Sequence, residues 1–437
     1  MPLPYPLIVV PGITASSLRD EYVIPPETVW SVLTKEYERV SLHPDNVRYE
    51  VIEPARVQAD QLLEAAYREL IEELRYNLRE HQDESVPVFA FPYDWRQPLE
   101  LSQAQLAVFV DEVIERTKLI RHYAEWSEFS RAPKVNLLGH SMGGLIVTGY
   151  LSRHGKKARV AKVATLATPF RGSFEAVVKI ATGTANLGHG APSSREREAA
   201  RATPALYHLI PWCQGIEVDP SVDEPDLFDP AQWQSTILQT LEEYVRLYGV
   251  DPTNTAQQAK TLFAALLKTA RDFRRRVERF SLARAGLKAE DWLCVVGVDS
   301  ETRVRLRINR ANPKSPQFEF SPADRDNRWS ATNPAEQELT GDGTVPYRGA
   351  VPTFLALENL VCVTPSDFGY WEIQDRLFTS VAGFHGILPN MDMLHRMLVR
   401  HFTGRLDRRQ NTWGLPAPGV APREWKPPLE LSLPPEG

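Results

Sequence analysis

The run Val135-Asn-Leu-Leu-Gly139-His140-Ser141-Met142-Gly143-Gly144 ends an apolar stretch in a Gly-x-Ser-x-Gly pentad, and a helix-compatible segment follows at once. This is the pattern of a nucleophile elbow, a sharp strand-to-helix turn that pushes a serine into strained, exposed geometry. Gly139 and Gly143 leave the helix and the neighbouring strand room to approach the turn, where a β-carbon would clash. Ser141 then sits at the N-terminus of the next helix, whose free N–H groups and dipole favour the negative charge that builds up in acyl transfer. The pentad alone also occurs in ordinary loops; the strand before it and the apolar helix after it are what point to an elbow.

A serine hydroxyl is a poor nucleophile at neutral pH, so a histidine must take its proton during attack and return it to the leaving group. A carboxylate must hold that histidine in the right tautomer and stabilise its cation. On a strand-turn-helix scaffold of this kind the three follow the order serine, acid, histidine. Asp342, in the glycine-rich turn Gly341-Asp-Gly-Thr-Val-Pro346, and His385, in Phe384-His-Gly-Ile-Leu, fall in that order. His43, His81, His122 and His154 come too early, His189 and His208 lie in a region of different character, and His395 and His401 fall in or after the final helical pattern. His140 points away from Ser141 in an elbow and is expected to pack or hydrogen-bond. Asp367 and Asp324 are the other carboxylates in range of the acid role. Oxyanion stabilisation needs two backbone N–H groups, one after the nucleophile and one after an early strand. Met142 and Ile13, in Pro11-Gly12-Ile13-Thr14, are assigned to it; without Ser141 the Pro-Gly pair would read as an ordinary strand-ending turn. Pro92-Tyr93-Asp94-Trp95-Arg96 also closes a strand, where open α/β sheets bind ligands. An Asp94–Arg96 structural pair with a packing Trp95 accounts for it equally well.

The elements that must position these groups alternate. Leu7–Val10, Val86–Phe91, Val135–His140, the segment from Ala161, Trp292–Gly297 and Asn359–Thr364 are apolar runs of strand length. Between them lie helical patterns at 61–80, at 102–120 with a capping-box start at Ser102, and at 389–402. Such alternation means a doubly wound, mostly parallel sheet. The rhythm breaks after Gly172. Residues 181–228 are rich in Gly, Ser, Pro and charge; Asp229-Pro230 then opens a helix ended by Gly249, and a longer helix runs from about 255 to 285. The longer helix carries Leu262, Phe263, Leu266, Leu267, Phe273 and Val277 on one stripe, with Arg271, Arg274, Arg275, Arg276 and Arg279 on a face expected to be solvated. The chain thus divides into a first core part (1–172), an inserted helical cap (173–290), a second core part (291–405) and a proline-rich tail (406–437) that wraps the surface or stays mobile. The apolar stripes of the cap are expected to roof the cleft above Ser141.

A chain of 437 residues with 43% hydrophobic content can bury a sizeable core, and a net charge of −6 gives no support to a nucleic-acid partner. No run of apolar residues is long enough to span a bilayer, and the N-terminal residues lack the pattern of a signal peptide. Cys213, Cys294 and Cys362 have no metal-like spacing and read as buried free thiols of a reducing compartment, so a cytoplasmic location is expected.

Five motifs, in order, resemble those of the lecithin:cholesterol acyltransferase-like α/β hydrolases, which include lysosomal phospholipase A2 and phospholipid:diacylglycerol acyltransferases. They are Val10-Pro-Gly-Ile13, Pro92-Tyr-Asp-Trp-Arg96, Gly139-His-Ser-Met-Gly-Gly144, Gly341-Asp-Gly-Thr-Val-Pro346 and His385-Gly-Ile-Leu. The resemblance implies an α/β-hydrolase fold with Ser141 as nucleophile, Asp342 and His385 completing the triad, Ile13 and Met142 as oxyanion donors, and Trp95 lining the acyl site. It implies no metal or cofactor. Two departures stand out: residues 15–60 hold no cysteine to close a lid loop, and Ile13 stands where an acidic or polar residue is common. The expected function is that of a serine acyl hydrolase or O-acyltransferase on lipid or other hydrophobic esters, with a peripheral membrane contact left open. A simple carboxylesterase or thioesterase, and a non-catalytic binding protein of the same fold, are the alternatives.

Overall fold

The structure is a computed structural model that describes residues 3–31, 33–44, 56–184, 192–220, 225–313, 315–369, 372 and 383–434. Six strands form one sheet: β1 (Leu7–Val10), β2 (Val88–Ala90), β3 (Val135–His140), β4 (Val160–Leu166), β5 (Trp292–Gly297) and β6 (Leu360–Val363). Their spatial order is β6-β5-β4-β3-β1-β2, with every neighbour pair parallel. Residues buried on both faces explain why these strands read as continuous apolar runs without alternation. The chain goes from β1 outward to β2, then returns to lay β3 on the other side of β1. That reversal opens a crevice at the carboxyl ends of β1 and β3, where Gly12 and Ser141 follow their strands. The doubly wound parallel sheet is the one the strand-and-helix rhythm predicts, and it is the sheet of the α/β-hydrolase fold that the motif resemblance implies.

Helices α1 (Glu64–Asn77), α2 (Leu99–Lys118), α3 (Met142–His154) and α6 (Asp392–Thr403) flank the sheet, while α4 (Ser235–Tyr248) and α5 (Thr255–Glu278) belong to the segment between β4 and β5. Several boundaries differ from the sequence expectation, each for a tertiary reason. The 61–80 pattern splits, because residues through Leu62 form a strand, Val57–Leu62, in a small antiparallel sheet with Ser16–Asp20 and Glu27–Trp30. Helix α2 starts at Leu99, not at Ser102, which lies inside it and is buried. The orphan N–H of Leu99 donates to the His208 ring at 3.3 Å, so a cap arrives from a distant segment. Asp229-Pro230 opens only a short 3-10 turn, Pro230–Gln232, before α4 begins. The chain breaks there to turn Trp233 into the core against Phe263 and Phe318. The longer helix stops at Glu278, and Phe280 leaves it to pack on Trp292 and Phe354.

The apolar stripe of α5 is used in packing and not in roofing a cleft: Phe263, Leu267, Ala270, Phe273 and Val277 are all buried, with α4 and α3 against the helix. Phe273 stacks near the His208 ring and, with Val277, faces Thr148, Gly149 and Ser152 of α3 around a cavity of about 140 Å³. Nor is the arginine face wholly solvated. Arg274 is fully buried and donates to the carbonyls of Pro169, Phe170 and His208. Burial pulls its guanidinium down to about 9. Of the stretch 181–228, residues 185–191 and 221–224 lie outside the described residues. The alternating run Val304-Arg-Leu-Arg-Ile308 contributes the strand Leu306–Asn309, which joins Ile216–Asp219 and Gln317–Glu319 in a side sheet. Part of the tail covers the β6 edge: Cys362 and Leu415 exchange backbone hydrogen bonds, and the Trp425 indole donates to Leu360 O at 2.7 Å. An edge covered in this way cannot template pairing with another chain. All three cysteines are buried and free.

Four buried histidines make the fold acid-sensitive. Burial holds His208 and His401 down to about 3 and lowers His140 and His395. Above the unfolded value of about 6.5 both states are neutral and nothing is lost. Below it the unfolded chain takes up protons that the folded chain refuses, so stability falls as pH drops from about 6.5 towards 3. Thermal melts across that window should show the fall, and His401→Asn should flatten it even though its melting temperature at pH 8 is lower. An unchanged slope in the variant would remove His401 from the account.

Candidate active site

The elbow is built by close backbone contact. Ser141 has φ 53° and ψ −128°, a region that L residues rarely occupy. Its N–H donates to Leu166 O on β4 at 2.8 Å, which pins the turn to the next strand. A β-carbon on Gly143 would lie 2.2 Å from Val10 O, and one on Gly139 would lie 2.6 Å from the Gly144 α-carbon. Gly144 has the same duty, unnoticed in the sequence: its β-carbon would meet Thr168 Oγ1 at 1.9 Å. These clearances let α3 start directly beneath the β1 carboxyl end, with Met142 as its first residue.

The structure brings Ser141, His385 and Asp342 together. His385 Nε2 is 2.8 Å from Ser141 Oγ, and His385 Nδ1 is 2.7 Å from Asp342 Oδ2. Because an ionised carboxylate only accepts, Nδ1 carries the proton and Nε2 is left to accept from the serine hydroxyl. Asp342 is fully buried, and its other oxygen accepts from the N–H groups of Thr344 at 2.9 Å and Val345 at 2.7 Å. Gly297, at the end of β5, has no β-carbon to clash with it; one would come within 2.7 Å of Asp342 Cβ. His385 lies in a helical turn, residues 383–387, and its N–H donates to Asp342 O at 3.0 Å. The other carboxylates are engaged elsewhere: Asp367 caps a turn and accepts from Trp413, while Asp324 caps another and faces Arg303 and Arg307. His395 and His401 bond to the carbonyls of Pro389 and Val163, away from Ser141.

The Gly12 turn lies against the serine: a β-carbon there would be 3.0 Å from Ser141 Cβ. The next peptide N–H is that of Ile13, and the first N–H of α3 is that of Met142. Neither has a backbone partner among the described residues. Trp95 sits deeper than expected for a residue on a cleft wall. It is 5% exposed, its indole donates to Ser16 O at 3.2 Å, and its ring packs on Trp30 at 4.8 Å. Arg96 is fully buried on Asp94, with further bonds to Val40 O and Val57 O, so the structural pairing expected for this motif is present. Ser141 itself is 6% exposed, so the hydroxyl lies in a nearly closed site.

Sequence reasoning missed Tyr67, which falls on the apolar side of the helical pattern at 61–80. Its hydroxyl lies 2.6 Å from His140 Nδ1 and accepts from the Gly12 N–H at 2.9 Å. Nothing in its spacing distinguishes it from a core tyrosine.

Residues 56–248 match the model of the lecithin:cholesterol acyltransferase family. The resemblance drawn from the motifs is thus shown over that segment, which holds Pro92–Arg96 and the elbow; the Gly12, Asp342 and His385 motifs lie outside it. No curated protein matches the chain. Among solved structures, one from the crystal structure of the Tle4–Tli4 complex is similar at 16% identity with a TM-score of 0.51, over 80% of this chain and 89% of that chain. That likeness is one of fold. The mature form of Bacillus licheniformis lipase BlEst2 matches at 15% identity over 68% of this chain and 67% of that chain, with a TM-score of 0.24, too low to carry an argument about shape.

Gly143→Ala should be far costlier than an alanine at a glycine with free space. Overpacking costs about 1–3 kcal/mol where side chains can shift, and the Val10 carbonyl cannot shift without moving β1. Gly404→Ala meets nothing within 4 Å and bears only the strain of φ 70°, about 1–2 kcal/mol. Chemical denaturation of the two variants checks the order.

Proposed function

We propose that this α/β hydrolase, carrying lecithin:cholesterol acyltransferase likeness over residues 56–248, cleaves lipid or other hydrophobic esters through an acyl-serine intermediate. It then passes the acyl group to water or to an alcohol. The observation that carries this reading is the unbroken hydrogen-bond line from Ser141 Oγ through the His385 ring to the Asp342 carboxylate.

Ser141 Oγ attacks the ester carbonyl while His385 Nε2 takes its proton. The negative oxygen that forms points at the N–H groups of Ile13 and Met142, whose fixed dipoles stabilise it without reorganisation. Asp342, fully buried beside Nδ1, stabilises the imidazolium. Collapse of the tetrahedral centre breaks the ester bond, and Nε2 hands its proton to the departing alcohol. In the second half, Nε2 deprotonates the acceptor, which attacks the acyl-serine and releases Ser141. Low exposure of Ser141 supports an apolar acyl group, because a closed site excludes water and leaves an alcohol time to compete. The segment 173–290 serves as a cap tied down by Arg274, Trp95 holds the Ser16 carbonyl in the strand that follows the Gly12 turn, and residues 406–437 shield the sheet edge. The three buried free thiols fit a reducing compartment such as the cytoplasm.

Ser141→Ala should abolish ester cleavage and labelling by a fluorophosphonate while the melting temperature stays close to that of the parent. A label that persists on the variant would sink the nucleophile assignment. Asp342→Asn should slow turnover by about ten-thousandfold, since an amide can hold neither the tautomer nor the cation. His385→Ala should be as inactive as Ser141→Ala, and His122→Ala, whose ring bonds to Ser85 O and packs on Tyr123 away from Ser141, should match the parent. Assays of a lipid panel with and without added alcohol separate transfer from hydrolysis: acyl-alcohol product marks a transferase, free acid alone a hydrolase.

A further inference from the structure

Behind the triad runs a second line of hydrogen bonds whose proton order can be worked out. The His385 carbonyl can only accept, so His140 Nε2, 3.0 Å away, carries a proton and donates to it. A neutral ring then leaves His140 Nδ1 as an acceptor, and the Tyr67 hydroxyl at 2.6 Å donates to it. Tyr67 Oη keeps its lone pairs for the Gly12 N–H at 2.9 Å. On the other side of the same peptide, the Tyr93 hydroxyl donates to Pro11 O at 3.0 Å. The Pro11–Gly12 peptide plane is therefore held from both edges, and the next peptide, which carries the Ile13 N–H, is held through Gly12 O, which accepts from the Ala15 N–H at 3.4 Å.

We propose that Tyr67 and His140 are positioning residues, a strut that sets the Ile13 N–H and the His385 main chain in one geometry relative to Ser141. The proposal rests on the assignment of Ser141 as nucleophile and Ile13 as an oxyanion donor. Both members of the strut are buried, Tyr67 at 1% and His140 at 4% exposure, so no solvent competes for their hydrogen bonds. Burial, and then the neighbouring His385 ring, hold His140 well below its usual range. It stays neutral while His385 becomes a cation with its ring centroid 5.1 Å away. A charge at His140 would both reverse the Tyr67 bond and oppose that cation. Tyr67 is raised above the usual phenol range by burial, so its proton stays in place.

The test separates positioning from stability by counting active sites. Fluorophosphonate titration gives the number of competent sites, and kcat per site is then compared. Tyr67→Phe should lower kcat per site by about 10–100-fold, the scale of a weakened oxyanion donor, with KM for the ester within about threefold. His140→Gln should do the same. The double variant should be no slower than the slower single, because both act through one line. Tyr123→Phe, which removes an equally buried hydroxyl from Pro4 O far from the site, should lower stability and leave kcat per site unchanged. An unchanged kcat per site in Tyr67→Phe, or fully additive losses in the double variant, would overturn the strut. Should Tyr67→Phe not fold, nitrogen NMR of the unmodified protein decides: His140 is expected as the neutral Nε2–H tautomer at the pH of turnover, and a cation or the Nδ1–H tautomer would overturn the proposal. If Ser141→Ala retains turnover, the underlying function fails, whatever Tyr67→Phe does.

Discussion

The structure depends on one steric constraint: the carboxyl end of β1 and the first turn of the helix after β3 must touch. The space where Gly143 lacks a β-carbon is filled by the Val10 carbonyl, and the Gly12 backbone fits against Ser141. Two parallel strands side by side bring their following turns within reach, but only glycine at these positions allows contact. The left-handed φ of Ser141 is the conformational cost of that contact. It is sustained because β4 and the β1 turn hold the elbow from both sides. With the serine so fixed, the histidine and the acid need only be delivered by the β5 and β6 ends.

Long loops in an α/β fold carry carbonyls that no strand or helix ladder satisfies, and buried ones need donors. Here buried guanidinium groups meet that need, three of them with two or more carbonyls each. Arg96 bonds to Val40 O and Val57 O, Arg201 to the carbonyls of Ile180, Ala181 and Thr236, and Arg274 to those of Pro169, Phe170 and His208. Each reaches between segments far apart in sequence. The planar fork suits this work, since several donors leave one rigid centre in fixed directions. Two of the three tie the segment between β4 and β5 to itself or to the core. That segment is therefore anchored by polar bonds as well as by the apolar stripe of α5.

The same economy of buried polar groups sets the acid side of the site. Asp342 has both oxygens occupied, by His385 on one and by two backbone N–H groups on the other. His140, next to the serine in sequence, is directed to the opposite side and bonds to Tyr67 and to the His385 carbonyl. Adjacent histidines on the two motifs thus have different proton states imposed by their partners. Only His385 has a ring nitrogen facing the serine.

Much of this was legible in the chain. Six apolar runs became six strands of one sheet because strands buried on both faces leave an unmistakable composition. The order Ser141, Asp342, His385 was readable because each sits close to glycine in a short motif on a segment that follows a core strand. The sequence could not reveal what distant segments supply. Leu99 begins a helix because His208 accepts its N–H; Trp233 interrupts one because a hydrophobic pocket waits for it; Arg274 looked like part of a solvated face until three carbonyls from other loops surrounded it. Tyr67 is the sharpest case. Its spacing matched the apolar side of a helix, and that is where its ring lies, yet its hydroxyl bonds at the elbow. Local periodicity records which side of an element is buried. Which polar atom meets which in that interior depends on how distant turns are brought together, and only the tertiary structure decides it.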